Sequence, residues 1–366
     1  MILVDGRHVD GGNSPLQADL ELEPSERVEL FDVNGRLNRE LGSDFSRYPR
    51  ALYVSFHTTA GYLDQSLAER LNHDGEDVQD FISVFRGLFP PDAGYTHDQL
   101  HLRTELSDEQ RATEPKNADS HLTFMGAGLK NCASYEQRPG APVWFVELDG
   151  VGETGSRQRR TTVVGYRGEE AVASLRLEVP VSDHGLDAHN LLSPEFGIVE
   201  QLETLAREHG VAVGRIDVSL APEEKHAGLT VNEYETLLMK HDLREVLANP
   251  LRFVAEKGKS ALKDPRAIPA KTLNYAQFDG VQILNKLMDR MGVRKSVVER
   301  IVNRAVAVPV SHFLRMKRGI SLPVLQRAES GAGEIVRGTY QSPILVQWRP
   351  AEEARRTLEV RLVRFV

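Results

Sequence analysis

Alternating apolar and polar positions dominate both ends of this chain, and helical spacing fills the stretches between them. Leu16, Ala18, Leu20 and Leu22 alternate, and Arg27 to Val33 gives a second short strand. Ala51-Leu52-Tyr53-Val54-Ser55-Phe56 is a third strand, and it ends on the polar patch His57-Thr58-Thr59-Ala60-Gly61. From Leu63 to Leu88 the apolar positions keep the helical period, and Pro90-Pro91 stops it. Val143–Leu148 and Thr161–Tyr166 read as strands joined by a Gly-rich, basic hairpin loop. The same order then recurs. Ala171 to Val181 is a strand, Ile198 to His209 a helix, and Val211 to Leu220 a strand leading into Glu224-Lys225-His226-Ala227-Gly228. A helical stretch is predicted from Tyr234 to about Val306, followed by Ile320-Ser321-Leu322-Pro323-Val324 and then by two terminal strands, Ile344–Trp348 and Thr357–Phe365. Residues 1–15 are polar and Gly-rich and read as a loosely attached start.

Strands at both ends of each half, with helices between them, predict an α+β fold with mainly antiparallel sheets. The repeated order predicts a divergent tandem duplication, with residues 1–168 as the first unit and 169–366 as the second. The region of about 234–306 is a helical insertion in the second unit.

Composition narrows the classes. The 366 residues are 40% apolar, enough for a large core, and the net charge of −8 argues against a general polyanion or nucleic-acid binder. Cys132 is the only cysteine, so an intrachain disulfide and a thiolate metal cluster are excluded. No secretory signal is evident at Met1-Ile2-Leu3-Val4-Asp5, and no run approaches the roughly 18 apolar residues of a membrane helix. These features predict a soluble, cytoplasmic protein with no membrane partner.

The densest ionisable group is His57, His97, Asp98, His101 and His121, all in predicted loops or strand ends. Imidazoles at such positions can bind a divalent metal ion or move protons near neutral pH. In the hairpin loop, Gly150 and Gly155 imitate a phosphate loop, but Ser156 stands where a lysine is needed and a strand follows. Arg157, Arg159 and Arg160 in the same loop are suited to bidentate phosphate contacts. Lys286, Arg290, Arg294, Lys295, Arg300 and Arg304 form a solvated helical face rather than a nucleic-acid surface. Asn232 and Glu233 follow the second Ala-Gly, where helix capping and function explain them equally well.

Taken together, these motifs resemble the YjbQ-like family. The first half carries His57-Thr58-Thr59-Ala60-Gly61, Tyr95-Thr96-His97-Asp98, Ser120-His121-Leu122 and the Arg157–Arg160 turn. The second half carries Ala227-Gly228-Leu229-Thr230-Val231-Asn232-Glu233, Ser311-His312 and Gly338-Thr339-Tyr340-Gln341. Each half lacks part of the pattern. Gln65-Ser66 replaces the Asn-Glu pair in the first, and Glu224 replaces the leading histidine in the second. In the second half Asn274-Tyr275-Ala276-Gln277 is the nearest counterpart of Tyr-x-His-Asp.

The resemblance implies two repeats, each a mainly antiparallel sheet folded on itself with helices, in a homo-oligomer, trimeric in similar proteins. It implies a secondary thiamine-phosphate synthase-type transferase acting on a phosphorylated small molecule. His57, His97, Asp98, His121, Asn232 and Glu233 are then the catalytic candidates, with the histidines split from Asn232-Glu233 between the two repeats. Arg157, Arg159 and Arg160 are the phosphate-binding candidates, and the resemblance implies a divalent metal ion as cofactor with His57, His97 and His121 as its ligands. The alternative is a non-enzymatic ligand-binding or assembly protein built on the duplicated fold.

Overall fold

A computed structural model describes residues 2–8, 14–104, 106–152, 155–248, 317–326 and 333–366. In the first half, a five-stranded antiparallel sheet runs in the order Ile2–His8, Leu16–Leu22, Arg159–Tyr166, Arg50–Ser55, Cys132–Glu136. A three-stranded sheet of Glu29–Asp32, Trp144–Glu147 and Ala60–Tyr62 stands beside it. The alternation at Leu16, Ala18, Leu20 and Leu22 is realised as one fully buried strand face. That face and the three-stranded sheet enclose helices Gly75–Leu88 and Ala118–Ala127 in one core. The helices meet at Gly126, where a Cβ would lie 2.9 Å from the rings of Phe85 and Phe89, so only glycine permits this approach.

The second half pairs its strands in the same scheme. Its five-stranded sheet runs Glu169–Pro180, Arg355–Phe365, Gly214–Leu220, Gly319–Gln326, Gly333–Ile335. Its three-stranded sheet is Asp187–Asn190, Ser342–Gln347, Ala227–Asn232. In the first half Arg159–Tyr166 lies between Leu16–Leu22 and Arg50–Ser55, and in the second Arg355–Phe365 lies between Glu169–Pro180 and Gly214–Leu220. The architecture is therefore α+β with antiparallel sheets throughout the described residues.

The halves meet through apolar side chains. Leu52, Val54, Val164 and Tyr166 on the outer face of the first sheet pack against Val213, Leu325, Val363 and Phe365 of the second. The rings of Tyr166 and Phe365 stack at 3.9 Å. Beside them the Arg215 guanidinium reaches Glu169 at 2.7 and 2.8 Å.

Several local expectations need correction. The start of the chain is not loose: Ile2–His8 is an edge strand paired to Leu16–Leu22. The helical period from Leu63 to Leu88 is split into Gln65–Arg70 and Gly75–Leu88. Asn72 and His73 between them adopt φ of 55°, and Asp74 then caps the second helix through the N–H groups of Glu76 and Asp77. Trp144–Glu147 and Arg159–Tyr166 are not hairpin partners, because they belong to different sheets, and the loop between them forms its own small hairpin. The predicted helical stretch from Tyr234 is seen as a π-helical turn, Leu238–Asp242, running into helix Leu243–Ala248. The rest of the 234–306 insertion, its basic residues from Lys286 to Arg304, the Asn274–Gln277 counterpart and Ser311-His312 all lie outside the described residues.

Candidate functional site

His121 sits on helix Ala118–Ala127, all ten residues of which are buried. The sequence pattern places it in a loop or strand end instead, because a helix buried on every side shows no amphipathic stripe. The helix start is held by Asp98, whose Oδ1 accepts from the Ala118 N–H at 3.1 Å. The same oxygen lies 2.9 Å from Nδ1 of His97. Asp98 thus fixes the helix and the His97 ring together.

The second half supplies the other wall. Strand Ala227–Asn232 delivers Asn232, whose Oδ1 lies 2.7 Å from His121 Nδ1 and also accepts the Glu233 N–H at 2.7 Å. Its Nδ2 donates to the Thr58 carbonyl at 3.2 Å. These contacts fix the amide orientation, so an acceptor faces His121 and the proton of the neutral ring sits on Nδ1. His97 faces a carboxylate through Nδ1, which fixes the same tautomer. The His121 Nε2 therefore carries a lone pair, and the Nε2 atoms of both rings are buried without a hydrogen-bond partner. The two rings stand 5.4 Å apart.

Glu233 closes the cluster, with Oε2 3.4 Å from His121 Nε2. His121 is fully buried, whereas the Glu233 side chain is 20% exposed. Burial, aided by the charge of His97, pulls the His121 pKa down to about 3. Burial also works against charge on His97, but the hydrogen bond and charge of Asp98 and the charge of Glu233 outweigh it, and its pKa is raised. Burial pushes the Glu233 carboxyl up, against the pull of His97 and Arg103. Burial thus favours a neutral imidazole at His121 and raises the carboxyl pKa of Glu233.

The structure brings together His97, Asp98, His121, Asn232 and Glu233. It does not bring His57 into that contact network. The His57 ring accepts the Arg160 N–H at Nε2, 2.8 Å away. Burial and the charge of Arg159 lower its pKa to about 3. Its carbonyl is held by Gln341 at 2.9 Å. His101 lies exposed on a 3-10 turn, outside this network.

The proposed metal set, His57, His97 and His121, does not fit a metal ion. The His57 Nε2 lone pair is already used, and among the described residues no group of three His, Cys, Asp or Glu side chains is placed to hold one.

The three arginines differ. Arg159 is buried, and its guanidinium is held by both oxygens of Glu147 and by the Asp149 carbonyl. It orders the loop and has little left for a ligand. Arg160 is exposed and lies over the Phe56 ring at 5.6 Å. Arg157 is 28% exposed, pairs with Asp149 at 2.9 Å, and lies close enough to depress the pKa of both His57 and His121.

Two residues escaped sequence reasoning. Arg103 is buried beside the cluster, 2.6 Å from Glu114 and 3.9 Å from Glu235. Asp242 reaches across from the second half to the backbone of Thr96 and His97.

With this geometry in place, the chain is similar to YjbQ-like proteins of solved structure. One is a YbjQ-like protein of unknown function from Sulfolobus solfataricus P2, at 15% identity and a TM-score of 0.28, covering 54% of this chain and 99% of that one. An uncharacterized conserved protein of the YjbQ family from Clostridium acetobutylicum is 12% identical with a TM-score of 0.26, covering 51% of this chain and 98% of its own. A conserved hypothetical protein from Thermus thermophilus is 18% identical with a TM-score of 0.23, covering 51% and 98% respectively. No family model matches the chain. No curated protein matches it.

Proposed function

We propose that this protein is an acid–base enzyme acting on a phosphorylated small molecule, of the thiamine-phosphate synthase-type transferase class that the sequence resemblance implies. The observation that carries the proposal is the His121–Glu233 contact at 3.4 Å, with His121 Nε2 left as a buried lone pair. His121 is too enclosed to meet a substrate directly and its neutral Nε2 has no proton to give, so the proton is relayed from solvent to the substrate by the partly exposed Glu233, which His121 faces at 3.4 Å. Glu233, whose carboxyl pKa is raised by burial, delivers a proton to the departing phosphate or diphosphate oxygen, and His97, whose pKa is also raised, stands beside it. Arg157 is the partly exposed cation suited to meet the anion. No step is routed through a metal ion. The proposal includes a tandem duplication divided near residue 168, a cytoplasmic location and a homo-oligomer.

Turnover of a panel of phosphorylated compounds, including a pyrimidine diphosphate paired with a thiazole phosphate, tests it. Glu233→Gln and His121→Ala are each expected to lower kcat by at least about 100-fold. Undiminished turnover in Glu233→Gln removes the proton relay. Saturable binding without turnover of any compound puts the ligand-binding alternative in its place.

A further inference from the structure

Asp242 is a residue that neither the motifs nor the family resemblance singles out. It ends the π-helical turn Leu238–Asp242 of the second half and is 1% exposed. Its Oδ1 accepts the Thr96 N–H at 2.8 Å and its Oδ2 accepts the His97 N–H at 2.9 Å. One carboxylate therefore holds two successive backbone donors of the loop that presents His97, from about 145 positions away in sequence. The turn that carries Asp242 is itself pinned. Glu235 Oε2 accepts the Leu238 N–H at 2.7 Å, and the Glu235 carbonyl accepts the Met239 N–H at 2.9 Å. π-Helical turns recur where a side chain has to be re-aimed at a functional site.

From this geometry we infer that Asp242 is a positioning residue: it sets where the His97 ring stands relative to His121 and Glu233, and so makes the acid–base cluster depend on the second half twice. Asn232 orients His121, and Asp242 orients His97. Asp98 alone cannot do this, because it holds the ring of His97 but leaves its backbone free to shift. The inference rests on the acid–base reading for its effect on turnover. Its effect on His97 does not depend on that reading.

The test is Asp242→Asn in the full chain. An amide offers one acceptor and turns its NH2 toward the second backbone donor, so one of the two bonds is lost. The first readout is the imidazole NMR titration of His97 in both Asp242→Asn and the charge-keeping Asp242→Glu, because the first also removes a negative charge that acts on His97; Asp98, His121, Glu233 and Arg103 are unchanged in both. The expected result is a His97 titration displaced from wild type. The second readout is kcat, expected to fall at least about tenfold with KM little changed, since misplacing a catalytic group by even an ångström costs that much or more. In a His97→Ala background the same substitution is expected to add no further loss of kcat. A His97 titration identical to wild type overturns the inference, as does an equal loss of kcat with and without His97. If Asp242→Asn does not fold, Asp242→Glu keeps the charge, lengthens the side chain and carries the same readouts. If no substrate is turned over, the acid–base reading fails while the NMR titration still decides the role of Asp242.

Discussion

The two five-stranded sheets share a pairing scheme but differ in what their outer faces meet. On the first sheet the cross-strand neighbours Leu52 and Val164 are fully buried under the second half. On the second sheet the cross-strand neighbours Asp217 and Arg361 form an ion pair at 3.1 Å, and Arg176 pairs with Glu359 at 3.0 Å, with both arginines largely in water. Only the far end of that face, at Val213, Leu325, Val363 and Phe365, is apolar, and it is the part that covers the first half. One scaffold thus serves two duties. The first sheet is made to be covered, and the second covers it and then presents a charged exterior, as terminal units of stacked folds do.

Removing Phe365 strikes the covered boundary hardest. Phe365→Ala loses the stack on Tyr166 and is expected to cost about 3–5 kcal/mol in denaturant unfolding. A loss below about 1 kcal/mol would show that this boundary does not hold the halves together. Next comes Gly338, whose Cβ would sit 1.8 Å from the Phe56 carbonyl oxygen. Gly338→Ala is expected to cost about 1–3 kcal/mol and to lower Tm, while a neutral result would mean that the segment from Gly338 to Gln341 does not dock on Phe56 as described.

Acidification probes the shared cluster. The His121 pKa is lowered to about 3, so below the unfolded-state value of about 6.5 the unfolded chain binds a proton that the folded chain refuses. Its contribution is present above that value and is lost as pH falls toward the folded pKa, with a slope of up to about 1.4 kcal/mol per pH unit. His121→Gln should flatten the measured stability–pH curve in that window, and an unchanged slope would place the proton uptake elsewhere. The smallest effect belongs to the open face. Arg361→Ala is expected to change stability by less than about 0.5 kcal/mol, and a change above about 1 kcal/mol would make that face as consequential as the covered one.

The strands were largely legible because alternation is a two-residue signal that survives without tertiary context. Leu16–Leu22, Arg50–Ser55 and Arg355–Phe365 all fall where the pattern places them. The helix that carries His121 was not legible, since Ala118–Ala127 is buried all round and offers no polar face. Nor was the pairing of Trp144–Glu147, because periodicity says nothing about which sheet a strand joins. Of the candidate residues, Asn232 and Glu233 were visible only through their place after the second Ala-Gly. The commitment of Arg159 to Glu147 was invisible, because an arginine in a loop shows its charge but not its partner. Asp242 did leave a trace. It stands in the stripe Leu238, Met239, Leu243 and Val246, where a carboxylate among buried apolar positions demands donors.

The hydrogen bonds from Gln341 to the carbonyls of Ser55 and His57 close loops of 286 and 284 residues. Such contacts form only after most of the chain has been synthesised and its ends have met, and long-range pairing of this kind is slow. The first strand–motif junction is made early and finished last. The nascent chain therefore carries His97 and His121 before Asn232 and Asp242 exist to set them, and the Ser55 and His57 carbonyls before Gln341 exists to hold them. The cluster of His97, His121 and Glu233 is complete only once the second half has folded onto the first.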